Sequence, residues 1–448
     1  MKTFNSIIIL SLVMAAPSAF SLTAEEVREG CRQEVIKRSH GNHFNHDKSA
    51  YKVNDLAENI VDEPSLMIRN LLVMEEKNLT KKTLEVMPWS DNYWPIYEGM
   101  LGRRYNDPEM RFSAFKSYLE YYQKNPVEEL IEAKEFSILS PSEKYDYLLG
   151  FNTVTLTEQN WKEGKAYQDQ YGKVETWMGL CHGWAAAAMM LPKPVRTVNI
   201  DVNGNDVPFY VSDIKALGTL LFANGNFETK FIGGRCNTKD PKVDSMDRPV
   251  ENDCLDTNPG TWHLAVVNQL GVFNRSMIMD ATYDYQVWNQ PIASYDYAYY
   301  NPKTDTEVKT FKEAIVKRSE WAKDPFKKVR SPKAEYIVGI IMNLSYVRET
   351  APSNEENQED LTTDLSYEYD LELDRDYNIV GGEWGTSNHP DFLWVPVKNS
   401  FPQTIGDGEV SAINLNSIDR SIKEKAKANL LYNLPFGPIV KELFEKSK

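Results

Sequence analysis

The chain has 448 residues, with 50 Lys and Arg against 65 Asp and Glu, a formal net charge of −15 and a pI near 5.1. So acidic a chain has little with which to neutralise phosphates, which argues against a nucleic-acid partner. With 42% hydrophobic and 12% aromatic residues it can bury a sizeable core in more than one lobe, and beyond the N-terminus no stretch is long and apolar enough for a transmembrane helix.

Lys2 precedes an apolar run, Ile7 to Met14, and then Ala19-Phe20-Ser21. A charged start, an apolar stretch too short to span a bilayer and small residues at its end predict a signal peptide over residues 1–21, cut after Ala19 or Ser21. Secretion to an extracellular or periplasmic space follows. Residues 22–154 read as mainly helical. Thr23 is an N-cap candidate, Ser65 to Met74 has a broad apolar face, and Met110 to Gln123 and Pro126 to Glu135 are amphipathic at helical spacing. No chemistry is visible there, so the region is either a lobe packed on the next domain or a prosegment covering it.

Residues 155–400 carry the candidate catalytic domain. Four alanines, Ala185 to Ala188, run into Met189 and Met190 between Gly179 and Pro192, predicting a buried helix with Cys181 in its first turn. The positive end of a helix dipole favours an anion, so the thiol is expected to shift toward the thiolate, the nucleophilic form. The bland alternative is a buried structural cysteine. Downstream, Val195 to Ile200 reads as a strand. Asp201, Asn203 and Asn205 have the spacing of a calcium loop, but Asp206 and Ser212 stand where glycine and glutamate belong. A hairpin about Asn203-Gly204 is expected instead, followed by a helix capped by Ser212.

Cysteines occur at 31, 181, 236 and 254. If Cys181 stays free, Cys236 and Cys254 are the natural disulfide pair, worth roughly 3 kcal/mol in the chain-entropy treatment. Cys31 is then left over, and a Cys31–Cys181 bridge would silence the nucleophile. A cysteine nucleophile needs a base and an orienting acceptor. His40, His43 and His46 cluster in a polar stretch, His182 is adjacent to the thiol and points elsewhere, and His389 is far downstream. His263 remains, at the start of an apolar strand that follows a turn at Pro259-Gly260. A second strand, Ser276 to Thr282, contains Asp280, and neighbouring strands would set His263 beside Asp280. The predicted triad is Cys181, His263 and Asp280. Trp177, Trp184 and Trp262 are candidates for the oxyanion site and substrate cleft. His389 and Asp391 lack a third ligand at useful spacing, and no metal site is assigned. Glu349 to Thr363 reads as an exposed loop, Ser366 to Leu373 as a strand, and residues 401–448 as a helical tail.

The segments Gly179 to Ala185, Ser212 to Leu217, Gly234 to Asn237 and Asn258 to His263 together resemble the oomycete cell-wall transglutaminase elicitors and their bacterial relatives. So do Asp280, Val287-Trp288-Asn289-Gln290-Pro291, Gly382 to Trp384 and His389 to Trp394, in the right order from about Trp161 to Trp394. The Val287 pentapeptide is similar to the start of the surface segment by which plants recognise the oomycete enzyme. The resemblance implies an α+β, papain- or transglutaminase-like core, a thiol helix packed on an antiparallel sheet, with an N-terminal helical lobe. It implies a secreted protein-glutamine γ-glutamyltransferase that joins glutamine and lysine side chains of protein substrates, with Cys181, His263 and Asp280 as nucleophile, base and orienter. The chemistry requires no cofactor; calcium is implied by the family alone. A glutamine deamidase, a papain-like cysteine protease and a non-enzymatic elicitor are the alternatives.

Overall fold

A computed structural model describes residues 55–448 apart from 152, 235–241, 243–256, 283–285, 386–388 and 411. The signal peptide, Thr23, Cys31, the histidines at 40, 43 and 46, and the Cys236–Cys254 pair lie outside the described residues.

Side-chain caps set several helix starts. Helix α1 (Leu71–Glu76) follows Asn70, which accepts from Val73 N at 3.1 Å. After α2 (Phe115–Lys124) and α3 (Val127–Glu132), capping boxes open α4 (Pro141–Leu149) at Ser140 and Glu143, and α5 (Leu156–Tyr171) at Thr155 and Glu158. Helix α6 (Cys181–Met190) carries the thiol as its first residue. Helix α7 (Val211–Asn224) begins two positions earlier than expected: Tyr210 is the cap residue and Asp213 accepts from its N–H at 2.7 Å, while Ser212 Oγ instead accepts from Ser353 N at 3.0 Å. Helices α8 (Pro259–Val266), α9 (Phe311–Ala314), α10 (Arg420–Leu430) and α11 (Gly437–Lys446) complete the set used here.

The strands in chain order are β1 (Lys81–Thr83), β2 (Val198–Val202), β3 (Asn205–Phe209), β4 (Thr229–Gly233), β5 (Ile278–Asp280), β6 (Asn289–Asn301), β7 (Thr306–Val308), β8 (Val316–Lys317), β9 (Tyr336–Val347), β10 (Thr362–Leu373), β11 (Ile379–Trp384) and β12 (Phe392–Pro396). The main sheet is antiparallel in the order β11-β10-β9-β6-β5-β12-β4. Strands β2 and β3 form the expected hairpin, with Asn203 and Gly204 at φ of 56° and 82°. Asp201 there accepts from Gly204 N at 2.8 Å and so closes a turn.

The sheet separates two cores. On one side, Trp184 and Ala185 to Ala188 of α6 pack with α7, α11 and the sheet residues Ile278, Ala293 and Val347. On the other, Met277, Met279, Tyr297 and Tyr369 enclose Trp262, Ala265 and Val266 of α8. The start of α8 bridges the ends of the sheet: Asn258 Nδ2 donates to Gly382 O at 3.1 Å, Trp384 Nε1 to Thr257 O at 2.9 Å, and Thr257 Oγ1 to Asp391 O at 3.3 Å. The N-terminal region feeds both cores, through Trp89, Trp94 and Leu101 on one side and Ala57, Ile60 and Leu71 on the other. The fold is thus α+β, with the thiol helix packed on an antiparallel sheet.

The strand expected at His263 is a helix. Asn258 accepts from Gly260 N at 2.8 Å, and Pro259 supplies a preset first-turn φ. Every residue of α8 is buried, so it has no polar face, and hydrophobic period cannot tell such a run from a buried strand. A wider π-helical turn, Val267–Val272, continues it.

Lys144 and Asp213, both fully buried, pair at 2.6 Å and fasten α4 to α7, with Tyr105 Oη donating to Asp213 at 3.0 Å. Breaking one member of such a pair strands the other charge in low dielectric. Asp213→Ala is expected to cost about 3–5 kcal/mol in urea unfolding, and replacing Lys144 and Asp213 together with Met and Leu to recover much of that loss. A single variant as stable as the native chain would contradict this.

Candidate active site

The thiol stands where three elements meet. Helix α6 starts at Cys181 with no side-chain cap at Leu180, and the first-turn N–H groups of a helix have no intrahelical partners. The preceding loop is pinned from the N-terminal region: Leu180 N donates to Tyr93 O at 2.6 Å. A Cβ on Gly179 would lie 2.6 Å from that same carbonyl, so only glycine lets the two segments approach this closely. Tyr93 Oη donates to Thr176 O at 2.7 Å, and its ring lies 5.4 Å from that of Trp288.

Strand β6 closes over the sulfur. Asn289 Nδ2 donates to Cys181 Sγ at 3.4 Å, and the thiol faces Val287 O at 3.6 Å. The amide is oriented from behind, because Trp394 Nε1 of β12 donates to Asn289 Oδ1 at 2.8 Å. Asp280 pairs in register with Asn289, and alternation puts it on the same face of β5 as Ile278, the α6 side. Its Oδ1 accepts from Trp288 N at 3.0 Å and Thr282 Oγ1 at 3.0 Å; its buried Oδ2 has no hydrogen-bond partner among the described residues. Burial, then the charge of Asp391, pushes the Asp280 carboxyl well above the usual range.

Cys181 and Asp280 are therefore brought to one face, and His263 is not. Its Nδ1 pairs with Tyr369 Oη at 2.9 Å, and its ring packs 4.8 Å from that of Tyr297. Those tyrosines belong to the core on the other side of the sheet. Burial alone holds the His263 imidazole down near 3. The expected strand position of His263 is corrected accordingly: the imidazole sits in a buried helix, not on a strand next to β5. His389 lies instead on the lead-in to β12, two residues before Asp391, with its ring stacked on Trp384 at 4.9 Å and its imidazole held near 4 by burial.

Of the three tryptophans, Trp177 lies on the loop leading to the thiol. Trp184 is fully buried and donates to Trp89 O at 3.1 Å, and Trp262 packs at 5.4 Å against Tyr367 in the second core. Both are core residues, and neither lines the thiol site. Asn289 was passed over as part of a surface segment, yet Asn289 to Ala293 are buried within the sheet. Its signal was the short connection after Asp280, which sets it opposite that residue in a hairpin. As for the calcium that the resemblance implies, no group of three or more His, Cys, Asp or Glu among the described residues could hold a metal ion.

Cys181 is a free thiol, 6% exposed. Burial pushes it up to about 11, against the downward pull of the Asn289 side-chain and backbone amides, and the charges of Glu349 and Asp280 raise it further. This reverses the expectation from the helix dipole. Alkylation of Cys181 by iodoacetamide should accordingly climb with pH toward about 11, because the thiolate is the reactive form. A plateau near the free-thiol value of about 8.5 would show that the thiol is not held in this way.

A solved structure, the GP42 transglutaminase from Phytophthora sojae, aligns with a TM-score of 0.52 and 22% identity over 82% of this chain and 94% of that chain. At that identity the likeness speaks for the fold. No curated protein matches. Among the described residues no helix is long and apolar enough to cross a membrane. The sequence profile of the transglutaminase elicitor family matches residues 66–422, most of the chain, and the chain therefore belongs to the transglutaminase elicitor family.

Proposed function

We propose that the protein is a secreted protein-glutamine γ-glutamyltransferase with Cys181 as its nucleophile. The observation that carries the reading is the Asn289 amide on the Cys181 sulfur at the head of α6. A hydrogen-bond donor beside the thiol, next to the first-turn N–H groups, is suited to an oxyanion forming on a carbonyl attacked by that sulfur.

In this reading a glutamine carboxamide displaces Val287 O from the thiol. The sulfur attacks the γ-carbonyl, Asn289 Nδ2 and the first-turn amides take the oxyanion, ammonia leaves, and a thioester remains. A lysine amine then attacks the thioester carbonyl, the C–N bond forms, the C–S bond breaks and the thiol is restored. We assign the proton shuttle to His389 in place of His263. His389 shares the β12 lead-in with Asp391, whose charge acts on Asp280. Asp280 steadies the 280–289 connection through Trp288 N and Thr282. The same reading includes export directed by residues 1–21 and a catalytic region over 155–400 followed by the 401–448 tail. Residues 55–154 of the N-terminal region act in it as a structural partner rather than a removable cover, because Tyr93 holds the thiol loop and β1 pairs with β6.

Mass spectrometry of a glutamine-rich protein incubated with the enzyme and a labelled primary amine tests this. Amine addition at glutamine with loss of ammonia is expected, and Cys181→Ala should abolish it while leaving the fold intact. Glutamate alone would mean a deamidase, cut backbone a protease, and unaltered protein would favour an elicitor without catalysis. His389→Ala should lower kcat/KM by about 10²–10⁴-fold, whereas His263→Ala should cost about 1–3 kcal/mol of stability and leave the folded enzyme active. The reverse pattern would restore His263 as the base.

A further inference from the structure

Glu349 lies just beyond β9, where the chain leaves the sheet at the thiol's end. Its Oε1 accepts from Gln290 Nε2 at 2.7 Å, and Gln290 directly follows Asn289, whose amide touches the sulfur. On its other side, Thr350 N donates to Asp91 O at 2.8 Å, holding the 349–350 segment against the loop that carries Tyr93. Tyr93 in turn fixes Leu180 through its carbonyl and sets its ring against Trp288. Glu349 is thus tied to both segments that border Cys181. Among the described residues no Lys or Arg forms an ion pair with its carboxyl, so burial holds that carboxyl above the usual range, with the Gln290 hydrogen bond and Arg348 pulling the other way.

An anion placed beside a nucleophilic thiol works against the thiolate: Cys181 is raised first by burial and Tyr93 by burial and then Glu98, and the Glu349 charge adds to both in the same direction. Such a carboxyl is matched when a cation enters. A lysine ammonium is a compact point charge with three donors, and aromatic faces such as those of Tyr93 and Trp288 attract cations.

We propose that Glu349, with the ring of Tyr93, is the subsite that binds the ammonium of the acyl acceptor and selects lysine over water and uncharged nucleophiles. This rests on the transglutaminase reading. The ammonium docks on Glu349, gives up one proton to solvent, and the resulting amine attacks the Cys181 thioester. The C–N bond forms and the C–S bond breaks. Of the two protons the nitrogen gives up, one restores the thiol and one passes to solvent.

The test compares two acceptors with the same glutamine donor at pH 7.5: Nα-acetyl-lysine amide, which is cationic, and hydroxylamine, which is neutral. Glu349→Gln should lower the ratio of kcat/KM for lysine to that for hydroxylamine by about tenfold, the size of one charge-assisted hydrogen bond, and Glu349→Asp should retain most of it. A ratio within about twofold of the native enzyme's overturns the proposal. Should Glu349→Gln fail to fold, the native enzyme answers through Nα-acetyl-Nε-trimethyl-lysine amide, which keeps the charge but cannot attack. It should inhibit lysine incorporation more strongly than hydroxamate formation, and equal or absent inhibition overturns the proposal. If the native enzyme forms neither product, the transglutaminase reading itself fails and this proposal falls with it.

Discussion

The bond between the Asn289 amide and the Cys181 sulfur is the constraint around which the site is arranged. It joins the head of α6 to the first residue of β6, and it has one orientation because Trp394 takes the carbonyl end. Each participant is placed by a larger element. Helix α6 is seated by its alanine face in the first core, β6 is fixed between β5 and β9, and Trp394 belongs to β12 on the far side of β5. Asp280 acquires its place through register with Asn289. A two-residue slip of β5 against β6 would separate these groups without altering either core's composition.

Burial outweighs the helix terminus in setting the state of the thiol. A helix N-terminus is worth roughly 0.3–1 kcal/mol to an exposed anion. Raising Cys181 from 9.0 to about 11 corresponds to roughly 3 kcal/mol against the thiolate. The sulfur is covered by Val287 and Asn289 and held in the thiol form, so this arrangement is a resting one. On the transglutaminase reading, a substrate carboxamide that replaces Val287 O lowers the desolvation cost at the sulfur while the amide donors remain. The N-terminal region takes part in the same balance, because the Tyr93 carbonyl locates the residue just before the nucleophile.

The thiol helix was legible because its signals are local: an alanine run, a glycine before it and a proline after it. Asp280 at the end of a strand was legible for the same reason, as was the Asn203-Gly204 hairpin. The base was not. The run from Pro259 to Val266 is apolar on every side, so its period carries no information, and the Asn258 cap that makes it a helix was read as part of a turn. His263 then looked like a strand residue beside Asp280, although it pairs with Tyr369 across a core. Trp184 and Trp262 were assigned to a cleft on ring chemistry, yet full burial makes them packing residues. Asn289 and Glu349 were missed because their significance depends on pairings between strands far apart in sequence, β6 with β5 and the end of β9 with the start of β6.

The central claim is that Cys181 carries the acyl group. The most direct measurement is to mix the enzyme with a glutamine peptide in the absence of any amine, quench in acid within the first turnover, and map the adduct by digestion and mass spectrometry. The account requires the peptide, less ammonia, as a hydroxylamine-labile thioester on Cys181. An unmodified Cys181 alongside turned-over peptide, or an adduct on another residue, would contradict it.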